Sequence, residues 1–164
     1  MSNYFYVVNN EINGKGQAIN LLETVINIEV SDEVYNDDIE KYLWNGSEVV
    51  LDPDYEEKQK EKERERIANL HLTRGDVFRG LLLAKGITRA DIRGIIEAMP
   101  EGTPQERIEK EYALIDFDEA LEFYRGVALI DTLGERLGIT SEQMDRFFET
   151  KDWHELLKVS EWDT

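Results

Sequence analysis

Eleven consecutive residues near the middle of the chain, Glu56 to Arg66, carry no apolar side chain. No core can run through such a stretch, because burying it would strand charges without water or partners. Whatever packs before it and whatever packs after it must do so largely apart. The stretch itself reads as a helix. Glu56–Lys60 is an i,i+4 pair in the favourable order, and Glu57–Lys60, Glu61–Arg64 and Glu63–Arg66 pair at i,i+3. Lys58–Lys62, Lys60–Arg64 and Glu61–Glu65 oppose like charges at i,i+4, so the net local gain is small. Asp52-Pro53 opens the helix, since Asp can cap and Pro is pre-set for the first turn. A helix polar on every side is a solvated spacer. Residues 53–70 would extend roughly 27 Å. No apolar seam exists before Ile67 and Leu70, which argues against a coiled coil.

Charge follows the same division. Residues 1–52 hold ten acids and two bases, residues 71–100 three acids and five bases, and residues 101–164 seventeen acids and seven bases. The whole chain of 164 residues carries a net charge of −17. Such an excess disfavours nucleic-acid backbones and anionic membranes, and it permits a basic partner. The chain has no cysteine, which excludes disulfides, thiolate metal sites and a thiol nucleophile. The start MSNYFYVVNNE lacks a basic leader followed by an apolar run, so no signal peptide is expected. No apolar run is long enough to span a bilayer.

Residues 1–52 read as a small β-rich module. Tyr4 to Val8 is aromatic and β-branched, and Asn9-Asn10 and Asn13-Gly14 are turn formers. Ile26, Ile28 and Val30 alternate and should put one face inward. Ser31 looks like a helix N-cap, with a short helix running to about Tyr42. Asn45-Gly46 between Leu43-Trp44 and Val49-Val50-Leu51 is a strong hairpin signal.

Residues 71–164 read as a bundle of short helices. Thr73 with Asp76, Thr88 with Asp91, Thr103 with Glu106 and Thr140 with Gln143 form capping-box pairs. Gly86 and Gly138 close helices. The helix opened by Pro104 should run on to Gly126, with Ile108, Tyr112, Leu114, Ile115, Phe117, Leu121 and Tyr124 as one broad buried stripe. Val127 to Leu137 should form the next helix. LLLAKGITRADIRGIIE (81–97) aligns with LGERLGITSEQMDRFFE (133–149), so one Gly-Ile-Thr hairpin recurs, either by duplication or as the same turn reached twice. The expected class is α+β: a β-rich module (1–52) with hairpins, a charged helical spacer (53–70) and an α-helical bundle (71–164).

Motifs for chemistry are sparse. His71 and His154 have no partner at metal-ligand spacing and stand near helix boundaries, as surface or partly packed side chains. Asp116-x-Asp118-Glu119 lacks the glycine and loop of a calcium site. Gly14-Lys15-Gly16 is too short for a phosphate loop and reads as turn chemistry. There is no Gly-x-Ser-x-Gly elbow, so no catalytic, cofactor or metal residue is assigned and an enzyme is not expected. Arg74, Arg79, Arg89 and Arg93, with Lys85, make residues 73–98 a basic helical hairpin. Its acidic surroundings oppose phosphate, so it should dock on the protein's own acidic helices or on an acidic partner. Phe147, Phe148 and Trp153 read as core, whereas Tyr4, Tyr6, Trp44 and Trp162 are candidates for contact surface.

The order YFYVVNNEI, INIEVSDEVY, WNGSEVVLDPDYE, KEKERERIANLHLTRGDVFRGLLLAKGIT and ALEFYRGVALIDTLGERLGITSEQMDRFFE is similar to small proteins encoded near phage and prophage tail genes. VSDEVY, WNG and DPDYE also resemble, more distantly, tail fibre assembly proteins, from whose pattern the helical carboxyl-terminal half departs. The resemblance implies a non-catalytic, chaperone-like accessory or assembly protein, or a minor virion component. It would bind a phage tail or fibre protein in the host cytoplasm or in the virion tail. Neither nucleic acid nor membrane is an expected partner, and self-association stays open. Candidate contacts are Tyr4, Tyr6, Trp44, Arg74, Arg79, Arg89 and Arg93. The alternative is an acidic anti-defence inhibitor that mimics DNA and occupies the groove of a host nuclease.

Overall fold

A computed structural model describes residues 2–157. The chain is α+β and divides into two units, with the boundary between Glu61 and Lys62. That boundary falls inside the polar helix α2 (Tyr55–Ala68), none of whose residues is buried. The helix starts later than Pro53, because Asp52-Pro53-Asp54 forms a turn of its own. The Asp52 carbonyl accepts from the Tyr55 amide, and its carboxylate accepts from the Asp54 amide and pairs with Lys58 at 2.7 Å. Of the expected charge pairs, Glu63–Arg66 forms as a two-pronged contact at 2.8 Å and Glu57–Lys60 as a looser one at 4.0 Å.

In the first unit, β1 (Asn3–Val8) lies between β2 (Glu11–Gly16) and β3 (Ile26–Val30), antiparallel to both. Asn9 and Asn10 make the β1–β2 turn at φ 53° and 67°, a left-handed conformation that Asn tolerates. Asn13-Gly14 is not a turn, nor is Gly14-Lys15-Gly16. Both lie within β2, where the glycines leave room for the Tyr6 ring. A Cβ on Gly16 would stand 3.0 Å from Tyr6 Cζ. The Tyr6 hydroxyl donates to the Ala18 carbonyl at 2.6 Å. The helix after Ser31 is short, α1 (Asp32–Asn36), followed by a 3-10 turn at Ile39–Lys41. Asp37 and Asp38 end one and cap the other, since aspartate favours caps over helix interiors. β4 (Tyr42–Trp44) and β5 (Val49–Leu51) pair around a four-residue loop at Asn45-Gly46. The Asn45 carboxamide oxygen accepts from the Ser47 and Glu48 amides. The buried interior of this unit is small: Phe5 and Val7, with Asn3 tied to Asp32. Ile26, Ile28 and Val30 are not fully buried, and Ile26 is 49% exposed, so the expected inward face of β3 is only half covered.

The second unit has five helices after α2 among the described residues: α3 (Arg74–Lys85), α4 (Arg89–Glu97), α5 (Pro104–Glu119), α6 (Ala128–Leu137) and α7 (Ser141–Thr150). Full capping boxes form at Thr88, Thr103 and Thr140, and Thr73 caps α3. Gly86 and Gly138 take the left-handed conformation at φ 69° and 65°. The two Gly-Ile-Thr hairpins are thus built alike, with Ile92 and Ile96 buried in one and Met144, Phe147 and Phe148 in the other. Two features depart from the sequence reading. α5 ends at Glu119, not at Gly126. Residues Glu122–Tyr124 form β7, which pairs with β6 (His71–Thr73) as a two-stranded ribbon inside the helical unit. His71 therefore lies in a strand, its ring 5.3 Å from that of Tyr124.

Candidate functional site

Helix α5 presents apolar side chains on two opposite faces. At 3.6 residues per turn, Ala113 and Phe117 fall on one side, and Ile108, Tyr112 and Ile115 within about 60° of one another on the other. The first side is buried: Phe117 has no exposed surface and lies 5.4 Å from the Phe78 ring. The second faces solvent, with Ile108 48%, Tyr112 64% and Ile115 53% exposed. The single broad buried stripe of the sequence reading is therefore incorrect, and Leu121 (79% exposed) and Tyr124 are not part of it. A helix with two apolar sides has one of them covered only when a second neighbour is available.

Pro104, Arg107 and Glu111 complete a groove of about 490 Å³ along the outer row. Tyr112 also borders a smaller cleft of about 200 Å³, with Met99, Val127 and Leu129. Tyr112 thus stands between the groove on α5 and the cleft that reaches the start of α6. The helix as a whole is acidic. Six acids against two bases occupy Pro104–Glu119. Lys110 is already engaged by the Glu97 carbonyl at 2.6 Å and by the Glu101 carboxylate, which its ammonium holds below the usual carboxylate range. Glu111, Asp116 and Glu119 have no ion pair among the described residues.

The basic hairpin turns inward on this same helix. Arg93 and Arg89 both reach Asp118, and the Asp118 carbonyl accepts from Arg74 at 2.7 Å. The guanidiniums of Arg89 and Arg93 stand 5.2 and 5.1 Å from the centre of the Phe117 ring, a cation–π arrangement. Arg79 pairs with Asp76 at 2.6 Å on its own helix. The Asp76 carboxyl is held below its ordinary value, first by the Thr73 hydroxyl. Three of the four candidate arginines thus converge on one aspartate. In the first unit Tyr4 and Tyr6 are half-buried on β1, and Trp44 is half-buried on β4 opposite Val49. Trp162 lies outside the described residues.

No family model, curated protein or solved structure matches the chain.

One cluster escapes sequence reasoning altogether. Arg125 is only 5% exposed and donates to Asp145 and Asp131 at 2.6 Å and to the Ser141 hydroxyl at 2.7 Å. Its backbone amide donates to the Leu70 carbonyl at 2.7 Å. The cluster ties the end of β7 to α6, α7 and the strand entry at Leu70. A cavity of about 340 Å³ adjoins it. Two carboxylates already neutralise the guanidinium, so the arrangement works as a clamp and offers no net positive charge to an anion. Among the described residues no helix is long and apolar enough to cross a membrane, and no group of three metal-binding side chains converges.

Proposed function

We infer that the chain works by binding another protein through the outer face of α5, and that this partner is a phage tail or fibre protein. The observation that carries the reading is the exposed row Ile108–Tyr112–Ile115. Large apolar side chains aligned in one groove gain free energy when a partner covers them, whereas scattered ones need no explanation. The acidity of α5 as a whole selects the occupant: an amphipathic helix whose apolar row is flanked by Lys or Arg. A second copy would bring the same acids and be repelled. The assignment to tails rests on the resemblance of the chain, from YFYVVNNEI to ALEFYRGVALIDTLGERLGITSEQMDRFFE, to small proteins encoded near tail genes, and more distantly of VSDEVY, WNG and DPDYE to tail fibre assembly proteins; no catalytic role is assigned. The protein would mask or join partner surfaces during assembly in the host cytoplasm, or stay in the virion tail.

The DNA-mimic reading draws on the acidic carboxyl-terminal part, residues 101–164, with seventeen acids against seven bases. It calls for tight, salt-sensitive binding to a basic nuclease. The apolar middle of the α5 surface favours the first reading, because a mimic of phosphate needs carboxylates there.

The test is a pull-down from infected cells with the native chain and with I108Q/Y112Q/I115Q. Glutamine keeps helix propensity, so the variant should melt as the native protein does. The native chain should recover an identified tail or fibre protein, and the variant should recover at least about tenfold less. Equal recovery by both removes α5 from the interface. Recovery of no tail protein removes the reading.

A further inference from the structure

The first unit holds a second, independent surface. β3 ends the sheet β2–β1–β3, and β5 ends the pair β4–β5. Among the described residues, Ile26–Val30 make no backbone hydrogen bond beyond their pairing with β1. In an antiparallel pair only alternate residues exchange bonds with the neighbour, so the others aim their N–H and C=O groups away from it. Proteins blunt such edges with charge, proline, bulges or a cover. Here β3 carries one charge, Glu29, and leaves Ile26 49% exposed.

The two strand ends border one cleft. Ile28, Glu29 and Val30 line it from β3, and Ser47, Glu48 and Val49 from the β4–β5 hairpin, around about 270 Å³. Its apolar part suits alternate side chains of an extended chain and Glu48 stands on its rim, whereas Glu29, opposite Tyr4 in the ladder, lies on the other face of β3 from Ile28 and Val30. Glu29 and Glu48 have no ion pair among the described residues. The lysines of this unit are spent elsewhere: Lys15 on the Tyr35 and Asp37 carbonyls, Lys41 on Asp37, Lys58 on Asp52 and Lys60 near Glu57.

We propose that this cleft takes an extended, lysine- or arginine-bearing segment of another protein, which adds as a strand to the free edge of β3. Backbone bonds to β3 supply the affinity, and alternate side chains entering the cleft supply the selection. Glu29 meets the bases on the face of the incoming strand turned away from the cleft, and Glu48 meets a base at the mouth of the cleft. A second copy of this chain suits the cleft poorly, because its own β3 carries no base and would bring a further carboxylate to this edge.

The experiment uses the isotope-labelled full chain and an acetylated, amidated heptapeptide of alternating lysine and valine. Amide resonances of Ile26–Val30 and Ser47–Val49 should shift on titration and those of β2 should not. The same peptide with alternate backbone amides N-methylated keeps its side chains but cannot extend the ladder, and should cause no shifts. E29K/E48K, both at exposed positions, should weaken binding about tenfold without changing the melting temperature. The α5 variant I108Q/Y112Q/I115Q should bind the peptide as the native chain does, so the fate of this cleft is read separately from that of α5. Absence of shifts at β3 overturns the proposal, as does equal binding by the N-methylated peptide. Self-association that E29K/E48K abolishes would also overturn it, by naming a second copy as the occupant.

Discussion

Two glycines in equivalent helical settings should respond to the same substitution with opposite signs. Gly80 lies in the interior of α3 and Gly94 in the interior of α4. Glycine costs a helix interior about 1 kcal/mol relative to alanine, so Gly→Ala is stabilising by about that much where nothing intervenes. A Cβ on Gly94 meets nothing within 4 Å. A Cβ on Gly80 would stand 2.8 Å from Phe147 Cε2 and closer still to Cζ. The Phe147 ring cannot swing aside at low cost, because it is buried and packs edge-on against Phe148 at 5.9 Å. Overpacking of this kind costs about 1–3 kcal/mol, and the backbone gain offsets about 1 of it. G94A should therefore gain about 1 kcal/mol and G80A lose up to about 2 kcal/mol. Melting temperatures should move by roughly 2–4 °C per kcal/mol for a chain of this size. Urea unfolding followed by circular dichroism reads both, and in the double variant G80A/F147L the steric part of the loss should shrink. If G80A proves as stabilising as G94A, then α7 does not pack on α3 as described and the core assignment of Phe147 is wrong.

Removing the clamp at Arg125 should be costly. R125M leaves two carboxylates facing each other, but Asp131 is 57% and Asp145 29% exposed, so water offsets part of the penalty. A loss of about 2–3 kcal/mol by chemical denaturation is expected, and R125K should not restore it, because the three bonds leave three separate nitrogens of a planar guanidinium and one ammonium nitrogen cannot reach all three acceptors from a single point. A variant as stable as the native chain would show the cluster to be superficial. Acid should also destabilise the second unit. The Thr88 hydroxyl and then the Thr88 amide hold Asp91 below its ordinary value, and the Thr73 hydroxyl does the same for Asp76. A depressed folded-state value means the contribution is complete above the unfolded value, about 4, and drains away as pH falls below it toward the folded value. Urea midpoints measured from pH 6 down to 2.5 should fall below about pH 4, and D91N should flatten part of that slope; an unchanged slope would remove the capping carboxylate as its source.

Local devices in this chain are written in single residues and their near neighbours. Thr88 with Asp91, Thr103 with Glu106 and Thr140 with Gln143 each close a box within four residues, and Gly86 and Gly138 need only their missing Cβ to turn left-handed. The polar helix Tyr55–Ala68 is equally local, since its composition alone denies it a core. The α+β class and the recurrence of one helical hairpin follow from such signals. Tertiary structure decided the rest. β6 and β7 are three residues each, and they exist because His71–Thr73 and Glu122–Tyr124, distant in sequence, come together. Such short strands have too little period to read. Which side of α5 is inner was likewise undecided by its spacing, because apolar residues lie on both sides. Packing by Phe78 and by the guanidiniums of Arg89 and Arg93 chose Phe117, and left Ile108, Tyr112 and Ile115 to the solvent. Arg125 was one base among many until folding drew Asp131, Ser141 and Asp145 around it. A cap is settled by torsions a few residues apart, whereas a surface is settled by which neighbours arrive, and only the folded chain holds that information.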